Sequence, residues 1–216
     1  MPCRIVVLIS GGGSNLQSLI DCAARDELGG GSIAAVFSNK PEAGGLQRAA
    51  EAGIATRCIN HTDFDSRDSF DLALRTEIDT FHPDLVILAG FMRILTADFV
   101  KHYRGRLINI HPSLLPKYPG LRTHQRAIDA GDSEAGATVH FVTEELDGGP
   151  PIIQAKVPIN SGDTAETLAQ KVLSKEHRIY PLAARWFAEG RLSLTGSKAV
   201  LDDQALPESG FPYSDS

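Results

Sequence analysis

The sequence predicts an α/β domain built on a doubly wound, mainly parallel sheet with an antiparallel edge strand. Three observations carry this. Short apolar runs alternate with amphipathic stretches in a steady strand–helix rhythm along most of the chain. That rhythm is the signature of a parallel sheet covered by helices on both faces. A glycine cluster, Gly11-Gly12-Gly13, follows the first apolar run directly, where a strand must turn into a helix. With 216 residues, 42% hydrophobic and 22% charged, the chain has the material for one sizeable core.

The strand-like runs are 4–10, 33–38, 55–59, 85–89, 107–110 and 138–142, with helices predicted at 15–27, 43–52, 66–81 and 96–103 between the first five. Residues 152–159 follow Pro150-Pro151 and contain Pro158, so they read as an edge strand returning from a hairpin onto 138–142. Asp163 with Glu166 three residues on resembles a capping box and opens a last helix, running to about Gly190 and bent near Pro181. One domain is expected over 1–195. The remainder, 196–216, turns rich in Asp, Glu, Pro and Ser and predicts a loosely held tail. No internal repeat interrupts this organisation.

Several function classes are excluded early. A net charge of −6 argues against a general nucleic-acid or membrane-surface binder, which carries a basic face. The first apolar run is too short for a membrane span and lacks the flanks of a signal peptide, so a cytoplasmic protein is expected. Cys3, Cys22 and Cys58 are widely spaced and match no zinc pattern, and His111, His124 and His140 also lack ligand spacing. No metal is expected.

Two places break the apolar pattern with polar chemistry. At "LISGGGSNLQSLI" the backbone N–H groups of a glycine loop and the following helix start offer an anion site, with Ser14 and Asn15 as further donors. A dinucleotide fingerprint fails because Leu16 stands where a third small residue belongs, and the second strand ends in Ser38-Asn39-Lys40 without the ribose-binding acid. A nucleoside triphosphate loop fails for want of Gly-Lys-Ser/Thr. A single terminal phosphate fits better, and a ligand-free tight turn is the alternative.

At "NIHPSLLPKYPG" a buried strand ends in Asn109 and His111, which share one face at ~6.6 Å spacing given the strand rise. Pro112 holds His111 extended and stops the ladder. In open α/β sheets this strand end borders the ligand crevice. An imidazole can exchange a proton near neutral pH, and an amide can donate to a developing oxyanion, so together they suit acyl transfer. An ordinary strand end with a satisfied histidine is the alternative. Asp147, before Gly148-Gly149-Pro150-Pro151, is either a hairpin turn or a carboxylate projected into the crevice, where proximity would favour a charged His111.

The motifs "ISGGGSNLQSLI", "GFMRIL", "INIHPSLLPKYPG", "HFVTEELDGGP" and "EHRIYP", in this order from about residue 4 to about residue 190, closely resemble the folate-dependent formyltransferases. The Asn-x-His-Pro stretch and the Leu-Asp-x-Gly turn are shared across that family, including methionyl-tRNA formyltransferase and formyltetrahydrofolate deformylase. The glycine loop with Ser-Asn-Leu-Gln resembles the branch that acts on glycinamide ribonucleotide, and the chain length fits that branch. Gly29-Gly30-Gly31 departs from the pattern by lengthening a surface loop.

The resemblance implies a Rossmann-like formyltransferase fold and transfer of a formyl group from 10-formyltetrahydrofolate to the glycyl amine of glycinamide ribonucleotide in purine synthesis. It implies catalytic roles for Asn109, His111 and Asp147, and ribonucleotide contacts from Gly13, Ser14, Asn15 and Glu176. It also implies folate contacts from Arg67, Met92, Arg93, Ile94, Leu95, Asn109, Thr143 and Asp147. Glu176 falls on the inward stripe of the last helix with Val172 and Ile179, which requires partners: a sugar nucleotide, or an arginine such as Arg178 or Arg93. Arg67 and Arg93 suit the carboxylates of a folate tail, or simple solvation. Small-molecule substrates are the only partners implied, in a monomer or homodimer. A hydrolase passing the same formyl group to water, and a non-catalytic folate or nucleotide sensor, remain the alternatives.

Overall fold

A computed structural model describes residues 1–215; of the expected tail, only residue 216 lies outside them. The strands are β1 (Cys3–Ile9), β2 (Gly31–Ser38), β3 (Ala55–Cys58), β4 (Leu85–Leu88), β5 (Leu107–His111), β6 (Glu134–Phe141), β7 (Pro151–Pro158), β8 (Leu192–Thr195), β9 (Lys198–Leu201), β10 (Gln204–Ala205) and β11 (Phe211–Tyr213). The α-helices are α1 (Ser14–Ala24), α2 (Gly44–Glu51), α3 (Arg67–Asp79), α4 (Ala97–His102), α5 (Thr123–Asp129) and α6 (Ala165–Ala188).

Eight strands form one sheet in the order β11-β7-β6-β5-β4-β1-β2-β3. From β3 to β5 every pairing is parallel, whereas β6 runs antiparallel to both β5 and β7. The expected doubly wound sheet and the β6–β7 pairing are therefore present. Alternation along β1 divides the core in two. Ile5, Val7 and Ile9 face a cluster that includes Leu16 and Leu19 of α1 and Val172, Ile179 and Ala183 of α6. Val6 and Leu8 face Phe70 and Leu74 of α3 and Phe99 of α4. Chain order reverses between β1 and β4, so their carboxyl ends splay connections to opposite faces and leave a crevice there.

Three expectations are corrected. Residues after 195 are not a loose tail. Strands β8, β9 and β10 form a small antiparallel sheet, and β11 adds parallel to β7, extending the antiparallel margin of the main sheet. The acidic and proline-rich composition marks tight turns between very short strands, held by buried Ala199 and Leu201 and by Phe211 edge-on to Trp186 at 5.3 Å. The cap of α6 is Thr164, whose hydroxyl accepts from Thr167 N in a capping box. Asp163 instead accepts from Asn160 N at 2.7 Å and pairs with Lys171. Helix α5 went unpredicted, because its seven residues bury only Thr123 and Ala127 and show no apolar period.

Candidate active site

The crevice is lined by segments following β1, β4 and β5. Gly13 ends the first with φ 75°, a left-handed conformation that glycine adopts freely. A Cβ there would lie 2.8 Å from the Cα of Gly45 at the start of α2, so the two backbones meet only because both residues are glycine. Gly45 N donates to Gly11 O at 3.0 Å and Arg48 Nε to Gly12 O at 2.7 Å, which turn the loop's carbonyls toward α2. No side chain caps α1 and no acid occupies its first turn, so its leading N–H groups are free for an anion.

Asn15, in that first turn, donates through Nδ2 to Glu176 Oε2 at 3.3 Å. Glu176 is 7% exposed and its carboxyl is pushed up by burial, with the Asn15 bond opposing. The arginine pairing considered for Glu176 is not formed. Its other oxygen, Oε1, has no protein donor among the described residues, and Asn15 Oδ1 is buried without a partner. One turn further along α6, Tyr180 donates to Leu88 O at 2.5 Å, tying the helix to the end of β4. Polar groups left open on the side chains of Asn15 and Glu176 are therefore held on rigid elements.

The end of β5 carries the titratable cluster. Asn109 and His111 alternate with buried Ile110, as predicted, and the 142–150 connection brings Asp147 back to His111, 3.5 Å from Oδ2 to Nδ1. Two bonds orient these groups. His111 Nε2 donates to Tyr118 O at 2.8 Å, which leaves Nδ1 to face the carboxylate. Gly120 N donates to Asp147 Oδ2 at 2.9 Å. Asp147 itself has φ 52°, and Gly149 behind it is obligatory because a Cβ would fall 1.7 Å from Phe141 O. At 3.5 Å the pair is longer than a charge-assisted hydrogen bond, so Nδ1 remains the atom at which His111 can pass a proton.

His140 completes the cluster, although the sequence weighed it only as a metal ligand. It pairs across strands with Asn109 and is fully buried, which lowers its pKa. Its Nδ1 lies 3.0 Å from Phe141 O, and a carbonyl only accepts, so the neutral ring carries its proton there. Nε2 is then an acceptor for Asn109 Nδ2 at 3.4 Å. The Asn109 amide is thereby fixed, one N–H on His140 and the other left to donate. Only the β5–β6 register reveals this, since 31 positions separate the two residues. Tyr118 and Gly120 were missed because they act through backbone groups, a carbonyl and an N–H that every residue type carries.

The remaining expected residues lie on the 89–96 and 142–150 connections and at the start of α3. Met92 and Ile94 are 64% and 56% exposed, Leu95 packs on the α3–α4 core, and Thr143 is half-buried. Arg93 lies over the Phe70 ring at 5.1 Å, and Arg67 is exposed at the start of α3. Of the seven exposed large hydrophobics among the described residues, Met92, Ile94 and Leu146 belong to these two connections and Leu121 to the one between β5 and α5, exposed apolar side chains of the kind that mark ligand sites. No cluster of three or more His, Cys, Asp or Glu suited to a metal occurs among the described residues, and no helix there is long and apolar enough to cross a membrane.

Comparison with known proteins places this geometry. The family model described as formyl transferase matches residues 3–184. The phosphoribosylglycinamide formyltransferase of Escherichia coli is 56% identical over 208 residues, covering 96% of this chain and 98% of its own. The human trifunctional purine biosynthetic protein adenosine-3 is 46% identical over 88% of this chain, which spans 19% of that protein. The solved phosphoribosylglycinamide formyltransferase of Coxiella burnetii superposes with a TM-score of 0.94 at 50% identity, covering 99% of this chain and all of that one. On sequence and fold, the chain belongs to the formyl transferase family.

Proposed function

We propose that this enzyme transfers a formyl group from 10-formyltetrahydrofolate to the amine of 5'-phosphoribosylglycinamide, a step of purine (IMP) biosynthesis. One observation carries the residue assignments: Asn109, His111 and Asp147 converge at the end of β5, with His140 fixing the amide. The phosphate of the ribonucleotide sits on the free N–H groups of Gly13, Ser14 and Asn15. Glu176 and Asn15 take its hydroxyls or amine through the polar atoms they leave open. Folate lies against Met92, Ile94 and Leu95 and the backbone from Thr143 to Asp147, with Arg67 and Arg93 toward its carboxylate tail.

The neutral glycyl amine attacks the formyl carbon. A C–N bond forms, the carbonyl pair moves onto oxygen, and the free N–H of Asn109 donates to that oxyanion with His111 Nδ1–H beside it. Collapse breaks the bond to folate N10, and the proton lost by the amine reaches N10 through His111 and Asp147. No group on the protein is covalently modified, so one proton and one formyl group change places. Three free thiols suit the reducing cytoplasm proposed as its setting.

An assay with both substrates tests the reading. Formylated ribonucleotide and tetrahydrofolate should appear together, and only with both present. Consumption of 10-formyltetrahydrofolate at the same rate without ribonucleotide would make the chain a hydrolase and end the proposal.

A further inference from the structure

The connection from β4 to α4, residues 89–96, has no regular secondary structure, yet it lines the crevice at the point where strand order reverses. Irregular backbone inside a site needs partners for its N–H groups from elsewhere. Two buried side chains supply them. Ser10, just beyond β1, accepts from Met92 N at 2.8 Å and donates to Asn39 Oδ1 at 2.5 Å, while its own N–H donates to Gly90 O at 3.2 Å. Asn39 is in turn braced against the His61 ring at 3.2 Å. At the far end, Asp71 of α3 accepts from Thr96 N at 2.6 Å.

Asp71 is an expensive way to hold a loop. It is 2% exposed, and Oδ1 is buried with no hydrogen-bond partner among the described residues. Burial pushes its carboxyl up, against the Thr96 bonds and the nearby Arg93 and Arg67 charges. A half-satisfied buried carboxylate destabilises a fold relative to an apolar side chain of that size. The catalytic cluster makes no use of it. What it does contact is the end of the segment that exposes Met92 and Ile94.

We propose that Ser10 and Asp71 are positioning residues for the folate, holding residues 89–96 as a preformed wall through the backbone N–H groups of Met92 and Thr96. This rests on the reading that Met92 to Leu95 line the folate site. Preorganised walls gain affinity by removing the ordering cost at binding. Because Ser10 also precedes the glycine loop, one hydroxyl ties the phosphate end of the crevice to the folate end.

The test is steady-state kinetics and tetrahydrofolate titration of Ser10→Ala, Asp71→Ala and Asp71→Asn. Each alanine variant should raise KM for 10-formyltetrahydrofolate roughly tenfold, the cost of one strong hydrogen bond, while KM for the ribonucleotide stays within about twofold. Asparagine keeps an acceptor for Thr96 N–H and should recover most of the loss. Both KM values rising together, Asp71→Asn behaving like alanine, or a lower melting temperature with unchanged KM would overturn the proposal. Should Asp71→Ala not fold, Ser10→Ala, which loses a single oxygen, decides it. Met92→Ala and Ile94→Ala separate the two readings, since unchanged folate KM in both would show instead that this segment does not bind folate.

Discussion

Glu176 holds its place at a cost to the fold, and pH exposes that cost. Its carboxyl is raised by burial, so the folded chain binds more protons than the unfolded one between the ordinary carboxylate pKa and the raised value. Stability attributable to this residue therefore falls as pH climbs through that window, and the loss is complete above it. Glu176→Gln should melt higher than wild type at about pH 7.5 and converge with it at about pH 4, as thermal scans would show. The same variant should raise KM for the ribonucleotide by roughly tenfold, because a ligand amine or hydroxyl loses a charged acceptor. A destabilised wild type that binds better is the expected signature of a ligand-facing carboxylate. Among the residues proposed as catalytic, His111→Ala should cut kcat about 10²- to 10⁴-fold and Asn109→Ala about 10²- to 10³-fold. Circular dichroism should remain that of the wild type in both, since each substitution trims a side chain and leaves the β5 backbone pairings in place. Wild-type turnover in purified His111→Ala would remove that residue from the mechanism.

At the scale of elements, the turn from Tyr118 to Gly120 holds two of the proposed catalytic groups at once, His111 through a carbonyl and Asp147 through an N–H. Tyr118 has φ 55° and is held in place by its hydroxyl on Asp132 at 2.8 Å and by Arg126 over its ring at 5.1 Å. Tyr118→Phe removes only that anchor, worth about 1 kcal/mol. It should lower kcat several-fold with little change in either KM, measured by saturating each substrate in turn. Legibility differs between elements for a physical reason. Strands β1, β4 and β5 were readable because burial on both faces demands continuous apolar runs. Helix α5 was not, because seven residues with two buried positions impose no period. The cap of α6 was misplaced by one residue, since Asp163 and Thr164 both suit an N-cap and only the path of the chain decides between them. In the site, Asn109, His111 and Asp147 were legible as polar breaks in apolar or turn patterns. His140 was not, because it sits within a strand and matters only through the register that sets it opposite Asn109.

For the whole molecule, the segment after residue 195 is the sharpest difference between expectation and structure. Strand β11 covers the β7 edge, which would otherwise present unpaired backbone groups, and Phe211 stacks edge-on against Trp186. Ending the chain after Thr195 should therefore cost roughly 1–3 kcal/mol, visible as a lower urea midpoint and a greater tendency to associate. Activity per folded molecule should change little, because the crevice lies across the sheet at the β1–β4 switch. The sequence alone determined the parallel α/β architecture, the glycine loop before α1 and the polar tip of β5, since each is written in local period or in a break from it. The tertiary structure alone decided that Glu176 meets Asn15 and not an arginine, that His140 orients Asn109, that one turn braces His111 and Asp147, and that the last strands join the sheets. Those contacts link residues far apart in the chain, and local side-chain chemistry holds no record of which distant partner the folded backbone will supply.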